Sequence, residues 1–401
     1  MILLKQRNVM TTLEWLTKLI AFDTTSRNSN MALIEYVANA FREMKIEPIL
    51  IHDEKEPKAN LLATLPGKNG RCEGGIVLSG HTDVVPVDGQ NWSTDPFKAT
   101  VIEDKVYGRG TCDMKGFIAV VMALIPELKA RDFAFPIHFA FSYDEEIGCL
   151  GAPHLIDKIG VLNYQPDACI VGEPTLMLPV IGHKGKRSYR CQVHGVAAHS
   201  SLTNQGCNAI EHAASFISYL RSIAQHFKTQ GARDNAYDVP YTTLTTNLIK
   251  GGNAYNTIPS LCEFIFEFRN LAQDNPDSLY HTILSYVAHQ LEPAMHEEQS
   301  EAQVVLDTIA NAPGLDTPPT EAIVCAAQAV SNSSELLKVA YATEAGLFQQ
   351  AHIPTIICGP GSIEQAHCAN EFVALEQLQR CEQFILDILH SPFLASSGGK
   401  C

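Results

Sequence analysis

Residues 80–86 of the sequence, Gly-His-Thr-Asp-Val-Val-Pro, place a histidine and an aspartate two residues apart, directly after an apolar run. On an extended chain, side chains two residues apart point to the same face, so His81 and Asp83 are expected to be neighbours. A carboxylate beside an imidazole fixes the tautomer of a histidine that binds a metal ion. We therefore predict that His81 is a metal ligand and that Asp83 orients it.

Further acids and a late histidine lie far from this segment along the chain. They are Asp113, Glu145, Glu146, Glu173 and His367. Taken singly, an isolated histidine is usually structural and an acidic run is usually a solvated loop. Here, several acids closely follow apolar runs, in glycine-rich settings that let the backbone bend closely around an ion. Their joint occurrence favours one metal centre assembled from distant parts of the chain.

Two divalent cations that share one bridging carboxylate would account for this set of residues. Oxygen and imidazole donors suit zinc, with cobalt or manganese as substitutes. Such paired ions lie about 3.5–4 Å apart, polarise a carbonyl group and acidify a shared water. We assign His81 and Glu173 to one ion, Glu146 and His367 to the other, and Asp113 to the bridge.

The same chemistry requires a general base that does not bind the metals. A carboxylate must take the proton from the attacking water. Glu145 adjoins the expected ligand Glu146, yet its side chain points in a different direction along the chain. We therefore predict that Glu145 is this base.

Length and composition define the class of protein. A chain of 401 residues is too long for one ordinary core, so we expect two domains. Hydrophobic residues make up 46% of the chain and charged residues 18%, which is typical of a globular protein. The net charge of −15 argues against nucleic acids and anionic membranes as partners.

The cysteines and the N-terminal segment indicate the compartment. Twelve cysteines are scattered without a CxxC pair, which favours reduced thiols in the cytoplasm. Residues 1–22 carry charges within their apolar pattern, which indicates an amphipathic first helix and not a signal peptide. No window approaches the roughly 18 uncharged apolar residues that a membrane span needs.

The elements that must position the acids alternate between helix and strand. The predicted helices cover residues 11–22, 30–45 and the nearly all-apolar 116–130. The predicted strands cover residues 49–51, 60–64, 76–79, 137–142 and 168–171. This order predicts an α/β domain in which helices flank a mixed, largely parallel sheet. Ligands of such sheets bind beyond the carboxyl ends of the strands, where the acids stand.

The pattern changes near residue 184. The predicted elements there are, in order, strand 188–194, helix 208–227, strands 242–249 and 260–269, helix 276–291 and strand 303–310. The order β-α-β-β-α-β predicts a small α+β, ferredoxin-like module. The α/β pattern resumes after Pro318, with a helix at 319–331 and a strand at 355–358. The expected domains are 1–183 and 313–401 for the catalytic part, and 184–312 for the inserted module.

The motifs resemble those of the M20 family of co-catalytic metallopeptidases and amidohydrolases over nearly the whole chain. The matching segments are 79–86, 108–116, 144–148 and 172–175. The resemblance implies the metal ligands, bridging aspartate, glutamate base and histidine-orienting aspartate that the chemistry already assigned. It also implies that the inserted module is a lid through which two copies form a homodimer.

The resemblance implies three further residues on the lid. His199, within residues 193–201, matches a histidine that reaches across a dimer to the substrate carbonyl, whereas His194 does not match. An imidazole there would stabilise an oxyanion. Arg269 matches an arginine whose guanidinium grips a substrate carboxylate, and Asn256 matches a position near the substrate.

Three stretches narrow the expected substrate, an N-acyl amino acid. Residues 182–185, 341–348 and 358–367 are most similar to family members that hydrolyse N-acetyl-L-ornithine to ornithine and acetate in arginine biosynthesis. By charge complementarity, Glu344 is expected to meet the distal ammonium of that substrate. The chain departs from the family after His367, where it has Cys-Ala-Asn-Glu in place of a basic residue, proline and an acid.

Other activities of the same family fit the same metal-ligating residues. Succinyl-diaminopimelate desuccinylases, dipeptidases and general N-acyl-amino-acid amidohydrolases share the metal centre and differ in the shape of the pocket. A non-catalytic metal-binding protein should have lost the base or a ligand, and this chain retains candidates for all of them. A nucleotide-dependent enzyme is disfavoured, because Gly108-Arg109-Gly110 lacks the spacing of a dinucleotide or P-loop fingerprint.

Overall fold

The structure of the chain is a computed structural model that describes residues 9–395. The first eight residues of the predicted amphipathic segment 1–22 lie outside the described residues, as does the end of the predicted domain 313–401. The α-helices are α1 (Thr12–Ile20), α2 (Met31–Glu43), α3 (Lys115–Ala130), α4 (Ala152–Val161), α5 (Ala209–Gln230), α6 (Pro276–Tyr286), α7 (Glu292–Glu298), α8 (Ala322–Ser331), α9 (Ala345–Gln350), α10 (Leu375–Ile388) and α11 (Pro392–Ala395).

Eighteen β-strands, some of only two residues, lie within residues 9–395. They are β1 (Ile49–His52), β2 (Ala59–Leu65), β3 (Ile76–His81), β4 (Thr100–Ile102), β5 (Lys105–Tyr107), β6 (Ile137–Ser142), β7 (Ala168–Pro174), β8 (Val180–His183), β9 (Gly185–His194), β10 (Ala198–His199), β11 (Thr243–Gly251), β12 (Thr257–Ile258), β13 (Leu261–Asn270), β14 (Gln303–Ala312), β15 (Leu315–Asp316), β16 (Leu337–Val339), β17 (Thr355–Gly359) and β18 (Phe372–Ala374).

The described chain divides into two compact units. Unit 1 comprises residues up to 182, together with 316–338 and the chain from 343 onward. Unit 2 comprises residues 183–315 and the short return segment 339–342. Each unit has its own hydrophobic core, so each buries apolar side chains independently of the other.

Unit 1 is built on the mixed, largely parallel sheet that the sequence predicted. Its central strand order is β1-β2-β6-β3-β7-β17. Strand β3 is parallel to both β6 and β7, and β17 is parallel to β7, whereas β1 and β2 are antiparallel. Every residue of β3, β6 and β7 is buried, as expected for strands covered on both faces.

Helix α3 is the buried helix expected at 116–130. Its residues from 115 to 122 are all buried, and exposed residues occur only in its last turns, at Glu127, Lys129 and Ala130. By contrast, α1 buries only one face and is capped by Thr11, whose hydroxyl accepts the backbone N–H of Glu14 while the Glu14 carboxylate accepts the backbone N–H of Thr11. The cap explains why α1 begins at Thr12.

Unit 2 contains the ferredoxin-like module. Strands β9, β11, β13 and β14 form an antiparallel sheet in the order β11-β13-β9-β14, and α5 and α6 connect them in the predicted β-α-β-β-α-β succession. Strand β13 alternates buried and half-buried residues, with Phe264, Phe266 and Phe268 in the core. Both parts of the predicted fold class are therefore confirmed.

Among residues 9–395, no helix has the length and apolarity required to cross a bilayer.

Gly172 in β7 provides a stability prediction, because a Cβ atom there would lie 1.9 Å from the Phe117 ring. Gly172→Ala should lower the free energy of unfolding by about 1–3 kcal/mol, the usual effect of overpacking. Gly160→Ala in α4 is the matched control, since a Cβ there meets nothing within 4 Å and alanine should stabilise by about 0.4–1 kcal/mol. Urea unfolding of both variants measures the difference; equal stabilities would contradict the packing argument.

Candidate metal centre

The carboxyl ends of three neighbouring parallel strands bring the predicted residues to one edge of the unit 1 sheet. His81 is the last residue of β3 and pairs with Ser142, the last residue of β6. The acidic residues 144–146 follow β6 directly, and Glu173 is the penultimate residue of β7. Side chains at this edge of a parallel sheet converge on a common space.

Asp113, two residues before α3, lies between the two predicted histidine ligands. Its Oδ1 is 2.9 Å from Nε2 of His81, and its Oδ2 is 3.2 Å from Nε2 of His367. Each carboxylate oxygen thus faces a different imidazole. This is the arrangement that a carboxylate bridging two ions requires.

Each imidazole is also paired with a second carboxylate. Nε2 of His81 lies 3.5 Å from Oε1 of Glu173, and Nε2 of His367 lies 3.0 Å from Oε2 of Glu146. The structure therefore brings all five predicted ligands together, in the two pairs that the sequence suggested, on either side of Asp113. His81, Glu146 and Glu173 have almost no exposed side chain, whereas the side chain of His367 is 54% exposed and forms the open side of the centre.

The electrostatics of the cluster suit bound cations. Burial and the charge of Asp113 raise the pKa values of Glu146 and Glu173 to about 7. Although burial opposes it, hydrogen bonds with His367 and His81 hold the pKa of Asp113 well below its usual range. Oε1 of Glu146 is buried without a hydrogen-bond partner and so leaves a carboxylate oxygen available. The set of carboxylate oxygens and imidazole nitrogens fits zinc, cobalt or manganese.

Glu145 lies on the His81 side of the cluster. Ligand atoms of His81, Glu145 and Glu173 all lie within 4.8 Å of one another. Burial, followed by the negative charge of Glu173, raises the pKa of Glu145 well above its usual value. The Cys149 thiol donates a hydrogen bond to Oε1 of Glu145, with a sulfur–oxygen distance of 3.4 Å. Oε2 of Glu145 takes no part in this hydrogen bond.

Asp83 contacts both the histidine and the acidic loop. Nδ1 of His81 lies 3.0 Å from the backbone carbonyl of Asp83 and 3.6 Å from its carboxylate. The carboxylate accepts the backbone N–H groups of Glu145 at 3.1 Å and Glu146 at 3.3 Å, and the Ser26 hydroxyl at 2.7 Å. Asp83 therefore fixes the imidazole through its backbone and the loop of the base through its side chain.

Two residues that the sequence reasoning missed hold the same loop. The Lys58 ammonium lies 2.7 Å from the Asp144 carboxylate and donates to the carbonyl of Ser26 at 2.7 Å. Both charged side chains of this pair are almost fully buried. Because Asp144 has a positive φ of 54°, the ion pair secures the bend that turns residues 144–146 into the centre.

Glu371 is a third residue that the sequence reasoning did not assign. Its fully buried carboxylate accepts the backbone N–H groups of Gly110 at 3.0 Å, Cys112 at 2.9 Å and Asp113 at 3.2 Å. The same carboxylate forms a 2.7 Å ion pair with the buried guanidinium of Arg109. Glu371 therefore positions the loop that carries the bridging aspartate. An acid four residues after His367 was the only signal of it in the sequence.

Two of the predicted lid residues lie beside each other in unit 2. His199 ends β10, which pairs with β12, and its exposed imidazole accepts or donates a 2.8 Å hydrogen bond with the Ser201 hydroxyl. Asn256 immediately precedes β12, and its backbone carbonyl accepts the N–H of Ser200 at 3.0 Å. The β10–β12 pairing thus joins the segments that carry His199 and Asn256.

Arg269 is the penultimate residue of β13 in unit 2. Its Nε donates to Glu267 at 3.0 Å, and its Nη1 donates to the carbonyl of Ala340 at 3.3 Å. The side chain is 29% exposed, so part of the guanidinium remains accessible.

Glu344 lies in unit 1, at the start of α9. Its carboxylate is fully buried and accepts hydroxyl hydrogen bonds from Ser79 at 2.6 Å and Ser142 at 2.7 Å. Burial raises the pKa of Glu344 even though both hydrogen bonds oppose the shift. The carboxylate therefore links β3, two residues before its end at His81, to the last residue of β6.

Comparisons with known proteins agree with this geometry. The sequence model of peptidase family M20/M25/M40 matches residues 77–391. Acetylornithine deacetylase of Proteus mirabilis is 33% identical over 382 residues, covering 94% of this chain and 93% of the relative. Acetylornithine deacetylase of Pasteurella multocida is 34% identical over 363 residues, covering 90% and 91%.

Solved structures share the fold at low sequence identity. A tripeptidase from Staphylococcus aureus aligns with a TM-score of 0.73 at 20% identity, covering 97% of this chain and 99% of that one. A dinuclear metal-binding peptidase from Bacillus subtilis aligns with a TM-score of 0.65 at 16% identity, covering 94% and 96%. Together with the matched residues, these relationships show that the chain belongs to the M20 family of peptidases, a family of metal-dependent hydrolases.

Proposed function

We propose that the chain removes the acetyl group from N-acetyl-L-ornithine, giving ornithine and acetate, as a step of arginine biosynthesis. The hydrolytic part of this proposal rests on the position of Asp113. Its two carboxylate oxygens face two separate imidazole–carboxylate pairs. The choice of substrate is supported by relatives named acetylornithine deacetylase that are 33–34% identical over nine-tenths of the chain.

Five side chains would hold two divalent cations, which we propose to be zinc, with cobalt or manganese as substitutes. In this assignment, His81 and Glu173 would hold one ion, Glu146 and His367 would hold the other, and Asp113 would be shared by both. When bound, the ions polarise the acetyl carbonyl and acidify the attacking water.

The proton transfers fall to Glu145. Its carboxylate accepts a proton from the attacking water and later delivers it to the leaving amine, so it acts first as base and then as acid. Burial raises the pKa of Glu145 above the usual carboxyl value, which makes its carboxylate a stronger base. Asp83 holds the loop of Glu145 in place through the backbone N–H groups that its carboxylate accepts.

We further propose that the lid forms a homodimer and that His199 stabilises the oxyanion formed at the acetyl carbonyl. His199→Ala should lower kcat by about 10²–10³-fold with little change in KM, the usual effect of removing one oxyanion donor. The matched control is His194→Ala, at the end of β9, which should retain activity. If His199 acts across the dimer, mixing His199→Ala with Glu145→Ala chains should restore part of the activity. A kcat that His199→Ala leaves unchanged would remove the role.

Glu344 has two competing roles, contact with the substrate ammonium and support of the strands behind the centre. Glu344→Gln should keep the buried hydrogen bonds with Ser79 and Ser142 while removing the charge. If Glu344 recognises the ammonium, kcat/KM should fall more for N-acetylornithine than for N-acetylmethionine, which lacks that charge. Equal losses on both substrates would assign Glu344 to support alone. Steady-state kinetics on the two substrates make the comparison.

One assay tests the proposed activity. Acetate release from N-acetylornithine is compared with turnover of N-succinyl-diaminopimelate, dipeptides and other N-acyl amino acids, before and after chelation and zinc addition. The decarboxylated analogue of N-acetylornithine belongs in the panel, because we propose that Arg269 and Asn256 recognise the α-carboxylate. Higher kcat/KM on another substrate class would assign the chain to that activity. Full activity after complete chelation would overturn the metal-dependent mechanism.

A further inference from the structure

A second group of side chains that could ligate a metal ion belongs to unit 2. It consists of Cys207, His212 and Glu298, and we call it the lid cluster. Cys207 precedes α5, His212 lies in the first turns of α5, and Glu298 is the last residue of α7. One ligand atom of each lies within 4.8 Å of the other two. Three separate points of the chain thus converge on one small volume.

The backbone holds the Cys207 thiol in place. Cys207 and Val196 exchange two backbone hydrogen bonds, each of 3.0 Å. Asn208 caps α5 by accepting the N–H of Ile210 at 3.1 Å, which fixes the residue that follows the cysteine. A thiol held in this way needs no loop ordering in order to bind an ion.

The burial of the lid cluster is graded from core to surface. Cys207 is fully buried, and the His212 side chain is 12% exposed, whereas the Glu298 side chain is 47% exposed. Nε2 of His212 lies 3.1 Å from Oε1 of Glu298. Glu298 also lines a cavity of about 550 Å³ next to residues 206–211. The cluster therefore has a solvent-facing side at Glu298, whereas Cys207 and His212 lie behind the lining of this cavity.

We propose that Cys207, His212 and Glu298 form a third divalent-cation site, occupied by zinc with an exchangeable fourth ligand. Sulfur, imidazole and carboxylate donors together select zinc or cobalt over magnesium and calcium, which prefer oxygen alone. The assigned ligands of the catalytic centre contain no sulfur, so the two sites differ in donor chemistry.

Without an ion, the same three residues would form only a hydrogen-bonded group. Burial, and then the charge of Glu298, raise the pKa of the Cys207 thiol to about 12, so the free thiol is protonated at neutral pH. A cation that binds there would form a bond to sulfur as the S–H bond breaks and the proton is released to water, because a coordinated thiol is present as thiolate. Binding at the lid cluster therefore creates a sulfur–metal bond that a simple ion pair lacks.

The position of the cluster suggests what the ion does. Residues 196–207 form a loop closed by the Val196–Cys207 bridge, and this loop carries His199. An ion at Cys207 would tie the closing point of the loop to α5 and α7. The inference that the ion steadies the loop that carries His199 rests on the proposed function. The inference that an ion binds at the lid cluster does not.

Cobalt titration of the metal-free full-length protein tests the proposal. A thiolate–cobalt charge-transfer band should develop in the near ultraviolet, and zinc analysis should find one more equivalent in the wild type than in Cys207→Ser. The band should be absent in Cys207→Ser and weakened in His212→Gln and Glu298→Gln. It should be unchanged in Cys191→Ser, which alters a buried thiol of the same unit outside the cluster.

Either of two results would contradict the third site. The thiolate–cobalt band does not develop in the wild type, or it persists in Cys207→Ser. Because Glu298 is partly exposed, Glu298→Gln should fold even if Cys207→Ser does not, and a band of unaltered strength and cobalt affinity in Glu298→Gln would also contradict the site. None of these experiments measures deacetylation. Absence of the third site would therefore not contradict the proposed function, and absence of deacetylase activity would not contradict the third site.

Discussion

Glu145→Gln should lower kcat by about 10²–10⁴-fold while leaving the metal content of the protein unchanged. The size of the loss is that of removing a positioned general base. Glutamine keeps the shape of the side chain but cannot accept the proton of the attacking water. Rapid-quench or steady-state kinetics on N-acetylornithine, with metal analysis of the same sample, measure both quantities.

The neighbouring acid provides the matched control for this prediction. Glu146 lies 3.0 Å from the His367 imidazole, so Glu146→Gln should lose bound metal as well as activity. The contrast is informative because Glu145 is also close enough to His81 and Glu173 to act as a ligand. If Glu145→Gln loses metal as Glu146→Gln does, Glu145 is a ligand and the base lies elsewhere. If Glu145→Gln retains activity, a residue other than Glu145 is the general base.

The sequence was sufficient for the parts of the fold that local patterns encode. Buried parallel strands are short apolar runs, and each run that the sequence predicted is a strand whose limits differ by at most three residues. Strand β6 has its predicted limits, and β3 ends two residues later than predicted. Because these strands end at one edge of the sheet, the acids behind them could be placed together without coordinates. His81, Asp113, Glu146, Glu173 and His367 do lie together in the structure.

The sequence was not sufficient for partners that are distant along the chain. Lys58 and Asp144 are separated by 86 residues, and Arg109 and Glu371 by 262, so no local periodicity relates them. The short antiparallel sheet of β4, β5 and β18 was missed for the same reason, because its strands have only three residues each. The segment 339–342, which clusters with unit 2, lies within residues 313–401, which the sequence predicts as part of the catalytic domain. Such features depend on how distant segments meet, which only the folded chain specifies.

Glu371 is the residue of this kind with the largest expected effect. Glu371→Gln should lower the free energy of unfolding by about 3–5 kcal/mol, the usual result of removing one partner of a buried ion pair. Two causes add together. The guanidinium of Arg109 would remain buried beside a neutral group, and the amide N–H₂ of glutamine would face backbone N–H groups that need an acceptor.

The substitution should also weaken metal binding, although Glu371 touches no metal ligand atom through its side chain. Its carboxylate accepts the backbone N–H of Asp113, so its loss frees the loop that carries the bridging carboxylate. Removal of such supporting groups typically costs 10–100-fold in metal affinity. We therefore expect zinc affinity to fall by about that factor under conditions in which the variant remains folded.

Urea unfolding of the metal-free protein and competitive zinc titration separate the two effects. Glu364→Gln is the matched control, since Glu364 is an exposed acid of the same segment and should leave both quantities unchanged. In Arg109→Met/Glu371→Gln, the loss of stability should be smaller than the sum of the single losses, because the unpaired charge is removed with its partner. Additive losses would mean that the ion pair is not the source of the stability. If zinc affinity stays at the wild-type value while stability falls, Glu371 supports the fold and not the placement of Asp113.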